Sequence, residues 1–129
     1  MRARVHFDHD LATLTGELQH LGEMVVQAVQ EAFQALQERD VHRAQRVIEH
    51  DRNINQVERD IETHALRLIA TQQPVASDMR RLIVTIEIAG ELEHIADYAK
   101  GIARMTLRDM PAPEPALPAE MERIADARK

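Results

Sequence analysis

A chain of 129 residues that is 44% apolar and 29% charged has enough apolar surface for one packed domain and too much for a disordered segment. It holds no cysteine, which excludes disulfides, thiolate metal sites and cysteine nucleophiles. A formal charge of −6 argues against nucleic acid or an anionic membrane as the main partner, and no run approaches the roughly 18 apolar residues that insert into a bilayer.

The apolar share is carried by Ala, Leu, Ile, Val and Met, with Phe7, Phe33 and Tyr98 the only aromatic residues. Such a composition suits helix-on-helix packing better than a sheet. The opening MRARVHFDHD has no apolar signal core, so a cytoplasmic location is expected. From Asp8, residues Leu11, Leu14, Leu18, Leu21, Val25, Ala28, Ala32 and Ala35 form an apolar stripe with heptad spacing. It predicts a first helix ending near Arg39. Gly16 and Gly22 inside it cost about 1 kcal/mol each relative to Ala, which the length of the pattern outweighs.

Asp40 is placed to cap a second helix. Val47, Ile54, Ile61 and Leu68 then recur every seven residues, predicting helix to about Ala70, and Pro74 closes it by pushing Gln73 out of helical geometry. Ser77 or Asp78 can cap a third helix, expected to end near Met105. That helix shows two apolar faces, one begun by Met79, Leu82, Ile83 and Ile86, the other by Ile88, Leu92, Ile95, Ala99 and Ile102. Two faces imply two packing neighbours. Arg108 to Pro118 holds four prolines in eleven positions, a stiff extended linker. Pro118 can open a further helix that carries Met121, Ile124 and Ala125. The expected architecture is all-α: an antiparallel three-helix bundle over 1–106, a proline-rich linker over 107–118, and the start of a fourth helix over 119–129.

The chemical signal lies in the carboxylates. Glu93 and Asp97 stand four apart on one face of the third helix, where like charges repel by a few tenths of a kcal/mol, roughly. Asp51, Asn55, Glu58 and Glu62 form a row on the second. Counting outward from Pro74, Asp51 falls at the height of Asp97 and Asn55 at the height of Glu93, to within about one turn. Four oxygen-bearing side chains then converge on one level, a donor set that suits Mg, Ca, Mn or iron. The same rows also read as solvated faces making weak ion pairs with Arg52, Arg59 or Lys100. His50 and His94 sit about 100° round from the acidic rows, and His6 with His9 reads as a surface end.

No glycine-rich phosphate loop and no serine–histidine pairing stands out. Glu17-x-x-His20 and Glu91-x-x-His94 have the spacing of ferritin-like di-iron enzymes, which leaves that reading open. A purely structural helical adaptor is a third.

The segment IATQQPVASDMRRLIVTIEIAGELEHIADYAKGIAR, Ile69 to Arg104, resembles the signature of the PhoU family of phosphate-uptake regulators. HFDHDL, LGEMVVQAVQEAFQAL and VIEHDRNINQVERDIETHALRLIATQQP extend the resemblance over essentially the whole chain. The resemblance implies two three-helix repeats per family member and metal sites, often iron clusters, built on an E/D-xxx-D motif. Carried over, the motif falls on Glu93-xxx-Asp97, with its partner on Asp51-xxx-Asn55. The implied cofactor is an iron cluster, with Zn, Mn or Mg as other possibilities. The implied role is negative regulation of phosphate uptake through the phosphate ABC transporter and a membrane sensor histidine kinase, with no catalysis. Asn55 departs from the aspartate expected there, His94 from an arginine and Ala96 from a glycine. With one repeat where two are expected, and two apolar faces on helix three, a homodimer is expected to supply the missing helices.

Overall fold

A computed structural model describes residues 2–109. Three helices follow one another: α1 (Arg2–Glu38), α2 (Val41–Gln72) and α3 (Ala76–Asp109). Each packs against both of the others, as an antiparallel three-helix bundle requires. Among the described residues no helix is long and apolar enough to cross a membrane. Residues 107–109, the first three of the predicted linker, are instead the helical end of α3; the rest of the predicted linker and the fourth helix lie outside the described residues.

The core follows the heptads. On α1, Leu14, Leu21, Val25, Ala28, Ala32 and Ala35 are buried, and Leu11 and Leu18 pack at its edge. On α2 all four residues of the seven-residue repeat are buried, joined by Ala44 and Ala65. Burying a side chain such as Leu14 or Ile61 contributes roughly 1.5–3 kcal/mol. One end of the bundle is filled by Phe7, Leu68 and Leu82. Toward the α1–α2 turn the filling becomes Ala28, Ala32, Ala35, Ala44, Ala99 and Ala103.

The turns explain the boundaries. Arg39 is left-handed (φ 55°), and the Asp40 amide donates back to the Ala35 carbonyl at 2.9 Å, closing α1. Asp40 then caps α2 as expected, its carboxylate accepting from the Arg43 amide at 2.9 Å. Gln73 closes α2 in the left-handed region (φ 43°), two residues later than expected, and Pro74 prevents continuation. Neither Ser77 nor Asp78 caps α3. The helix starts at Ala76 with the Met79 amide bonded to the Val75 carbonyl at 2.8 Å. Asp78 instead is buried inside the first turn and ion-paired with Arg4. That pair accounts for a second difference: α1 begins at Arg2, a turn and a half before Asp8, because Phe7 continues the buried stripe seven residues before Leu14. At the other end α3 runs past Met105 to Asp109, since Thr106 is fully buried and Leu107 packs on the core.

Helix α3 departs most from expectation. A single seam reaches the core: Asp78, Leu82, Thr85, Ala89, Ala96, Ala99, Ala103 and Thr106, with Leu92 at its edge. Ile83 of the first expected face and Ile88 and Ile95 of the second are exposed. Small residues won the inside because they let two neighbouring backbones come close. The larger Ile, Val and Tyr side chains were left outward.

Candidate functional site

The four predicted ligands stand where α2 and α3 face each other. Asp51 is buried, 3% exposed, on the edge of the α2 seam. Asn55, one turn on, donates its side-chain amide to Asp51 Oδ2 at 3.1 Å. From α3, Lys100 Nζ reaches the same oxygen at 3.2 Å. Glu93 is half-buried and Asp97 exposed, one turn apart on α3.

The ion pair ties α3 to α2 at this level and keeps Asp51 within about one turn of Asp97, the tolerance of the count outward from Pro74. Glu58 of α2 also stands close to Glu93. Electrostatics agree: burial pushes the Glu58 carboxyl above its ordinary range, followed by the charges of Glu62 and Glu93. Burial also pushes Glu93 up, followed by the charge and hydrogen bond of Asp97, with Asp51 adding to it. The site is therefore a strip of Glu62, Glu58, Glu93 and Asp97 running toward Asp51, with one ammonium at its far end. Sequence reasoning placed Glu58 in the row without making it a ligand and treated Lys100 as a weak surface partner. The apolar spacing that aligns two helices does not fix their offset to better than a turn, so Lys100 had no distinguishing signal.

Two observations bear on whether a metal suits this strip. Asp51 Oδ1 and Asn55 Oδ1 are buried and lack a hydrogen-bond partner in the protein, which buried oxygens rarely do. The acidic side chains near them, Glu93 and Asp97 among them, are oxygen donors, the chemistry of Mg, Mn and iron sites. Against that, among the described residues no three Asp, Glu or His side chains are gathered tightly enough to hold one ion. The residues fit a cation in kind, and closing on one requires side-chain rotation by Glu93 and Asp97 and displacement of Lys100.

The ferritin-like spacings do not assemble. Glu17 turns to His64 of α2, 2.9 Å from its Nδ1, rather than to His20. Glu91 and His94 sit 3.9 Å apart on the exposed side of α3. His6, His9 and His50 are exposed as well.

The family profile described as PhoU domain matches residues 18–106, and the match contains all four of the site positions. The chain belongs to the PhoU family. The phosphate-specific transport system accessory protein PhoU homolog of Clostridium acetobutylicum is 36% identical over 103 residues, 79% of this chain and 47% of that protein. The accessory protein PhoU of Escherichia coli K12 is 38% identical over 101 residues, 78% of this chain and 42% of its own length. The crystal structure of the phosphate transport system regulatory protein PhoU from Streptococcus pneumoniae superposes with a TM-score of 0.76 at 32% identity, covering 86% of this chain and 52% of that one. The chain thus spans about half the length of the PhoU relatives it matches.

Proposed function

We propose that this chain is a metal-binding, non-catalytic regulator of phosphate uptake, acting in the cytoplasm on the phosphate ABC transporter and a membrane sensor histidine kinase, and working as a homodimer. Family membership supports the phosphate role, since its relatives are phosphate transport accessory and regulatory proteins. The observation that carries the metal claim is the pair of orphaned oxygens on Asp51 and Asn55 beside Glu93 and Asp97. Asp51, Asn55, Glu93 and Asp97 would hold the ion, iron before Mn, Zn or Mg. A bound cation supplies a neutralising cross-link between α2 and α3. The chain's own part is to present the carboxylates, to keep Asp51 out of water, and to hold Lys100 as counter-ion when the ion is away.

Protein purified without chelator is expected to carry metal by elemental analysis. Glu93→Ala with Asp97→Ala is expected to remove it while helicity by circular dichroism stays unchanged. Metal-free protein that also refuses iron, manganese and zinc would overturn the site. For the regulatory role, expression in cells lacking their own PhoU should restore repression of phosphate uptake, and unchanged uptake would count against it. The Lys100–Asp51 pair favours one second reading, a helical adaptor with a self-neutralised site, and the same metal analysis separates the two.

A further inference from the structure

The groove between α1 and α2 is separate from the acidic strip, which lies between α2 and α3. It encloses about 550 Å³, the size of a small-molecule site and far more than an inorganic ion fills. Helical spacing explains its lining. On α1, His20, Met24, Gln27 and Glu31 follow one another at i, i+4, i+7 and i+11. On α2, Arg43, Val47, His50 and Ile54 repeat that spacing, so each helix turns one stripe into the groove. The floor is apolar, with Ala28, Val47 and Ile54 buried and Met24 half-buried. The rim is polar, and His20, Glu23, Gln27, Arg46 and His50 are all exposed on it.

The charges along the groove are unevenly paired. Arg43 faces Glu31 at 3.3 Å, Glu38 at 3.5 Å and Asp40 at 3.8 Å, three carboxylates that keep an anion away from that end. Arg46 and Glu23 have no ion pair among the described residues. His50 stands one turn along α2 from Arg46, and Gln27 and His20 come in from α1. A guanidinium with imidazole and amide donors around it is a cradle for a phosphate. A bare ion would leave the apolar floor in water. An anionic lipid chain would cover the floor but bring no donor to the Glu23 carboxylate. A ligand with an anionic end, hydroxyl groups and a flat ring system matches all three parts, and that is the chemistry of a nucleoside phosphate.

We propose that the α1–α2 groove binds a nucleoside phosphate. The phosphate accepts from Arg46, His50 and Gln27, the base lies over Met24, Val47 and Ile54, and the sugar hydroxyls donate to Glu23. His20 closes the end away from Arg43, where the edge of the base falls. Arg46 carries most of the affinity, because a hydrogen bond between two charged groups is roughly twice as strong as one between neutral groups. The site shares no residue with the proposed metal ligands and needs neither a bound metal nor a second copy, so it goes beyond the proposed function and stands or falls separately from it.

Isothermal titration of the intact, metal-stripped chain with AMP, GMP, CMP and UMP should show one site per chain for at least one of them, with a Kd below about 1 mM. Absence of binding by all four would overturn the proposal. The matching nucleoside and inorganic phosphate should each bind at least about tenfold more weakly. A nucleoside that binds as well as its phosphate would remove the role of Arg46, and inorganic phosphate that binds as well would remove the role of the floor; either result overturns the assignment. Arg46→Glu should weaken binding roughly tenfold to a hundredfold with helicity by circular dichroism unchanged. Arg67→Glu makes the same charge change toward the other end of α2 and should leave binding as it was. Equal losses in the two variants, or no loss in Arg46→Glu, would show that the ligand does not lie in this groove.

Discussion

The two seams of α3 differ in a way opposite to simple hydropathy. The inner seam is mostly alanine and threonine with Leu82 as its one fully buried large residue, while the outer carries Val84, Ile88, Ile95, Tyr98 and Met105. A helix between two close neighbours is selected for small volume on the side that touches them. The difference teaches that burial here tracks the distance between backbones rather than the hydropathy of the side chain.

Three changes break or sharpen that contrast. Leu82→Ala, on the inner seam, should lose about 2–5 kcal/mol of stability, read from the urea midpoint. Ile88→Ala on the outer, exposed side should stay within about 0.5 kcal/mol. Equal costs would mean the two seams are not distinct. Next in size, Lys100→Met leaves the buried Asp51 carboxylate without its cation and should cost roughly 1–3 kcal/mol. Combining it with Asp51→Asn should recover most of the loss, which a double-mutant cycle measures. Additive losses would show that the pair is not coupled.

The smallest effect concerns the acidic strip where α3 faces α2. Burial holds the Glu58 and Glu93 carboxyls above their ordinary value of 4.5. The folded chain therefore binds their protons more tightly than the unfolded chain, and these two groups cost stability at neutral pH. That cost should be relieved as the pH falls from neutral through the interval just above 4.5, so metal-stripped protein should melt at a higher temperature near pH 5 than near pH 7. Glu58→Gln with Glu93→Gln should flatten the rise and lift the pH 7 value. A melting temperature that falls over that range in the parent chain would contradict the sign.

Much of the fold was legible in the sequence because heptads encode it directly. Leu14, Leu21, Ile54 and Ile61 lie where their spacing put them, and Asp40 caps α2 as its type predicts. The N-terminal extension to Arg2 was missed because Phe7 sits in a histidine- and charge-rich stretch whose periodicity is visible only once the stripe is known. The start of α3 was misread because Asp78 has the chemistry of a cap, and only the approach of Arg4 from α1 draws it inward. On α3 both seams have the same spacing, so periodicity could find them but could not say which would be covered. At the site, side-chain types pointed to the acidic rows, whereas the Lys100–Asp51 ion pair joins two helices and no local pattern reveals it.

The Lys100–Asp51 contact has a consequence for selectivity. The carboxylate already has a resident cation, tethered by four carbons and unable to diffuse away. On the proposed metal reading, a divalent ion reaching Asp51 would compete with an intramolecular rival whose local concentration does not depend on the surrounding solution. Occupancy would then be an exchange in which one ammonium is expelled for each ion taken up. Under that proposal the chain would set its own threshold for metal, and replacing that single lysine would reset it.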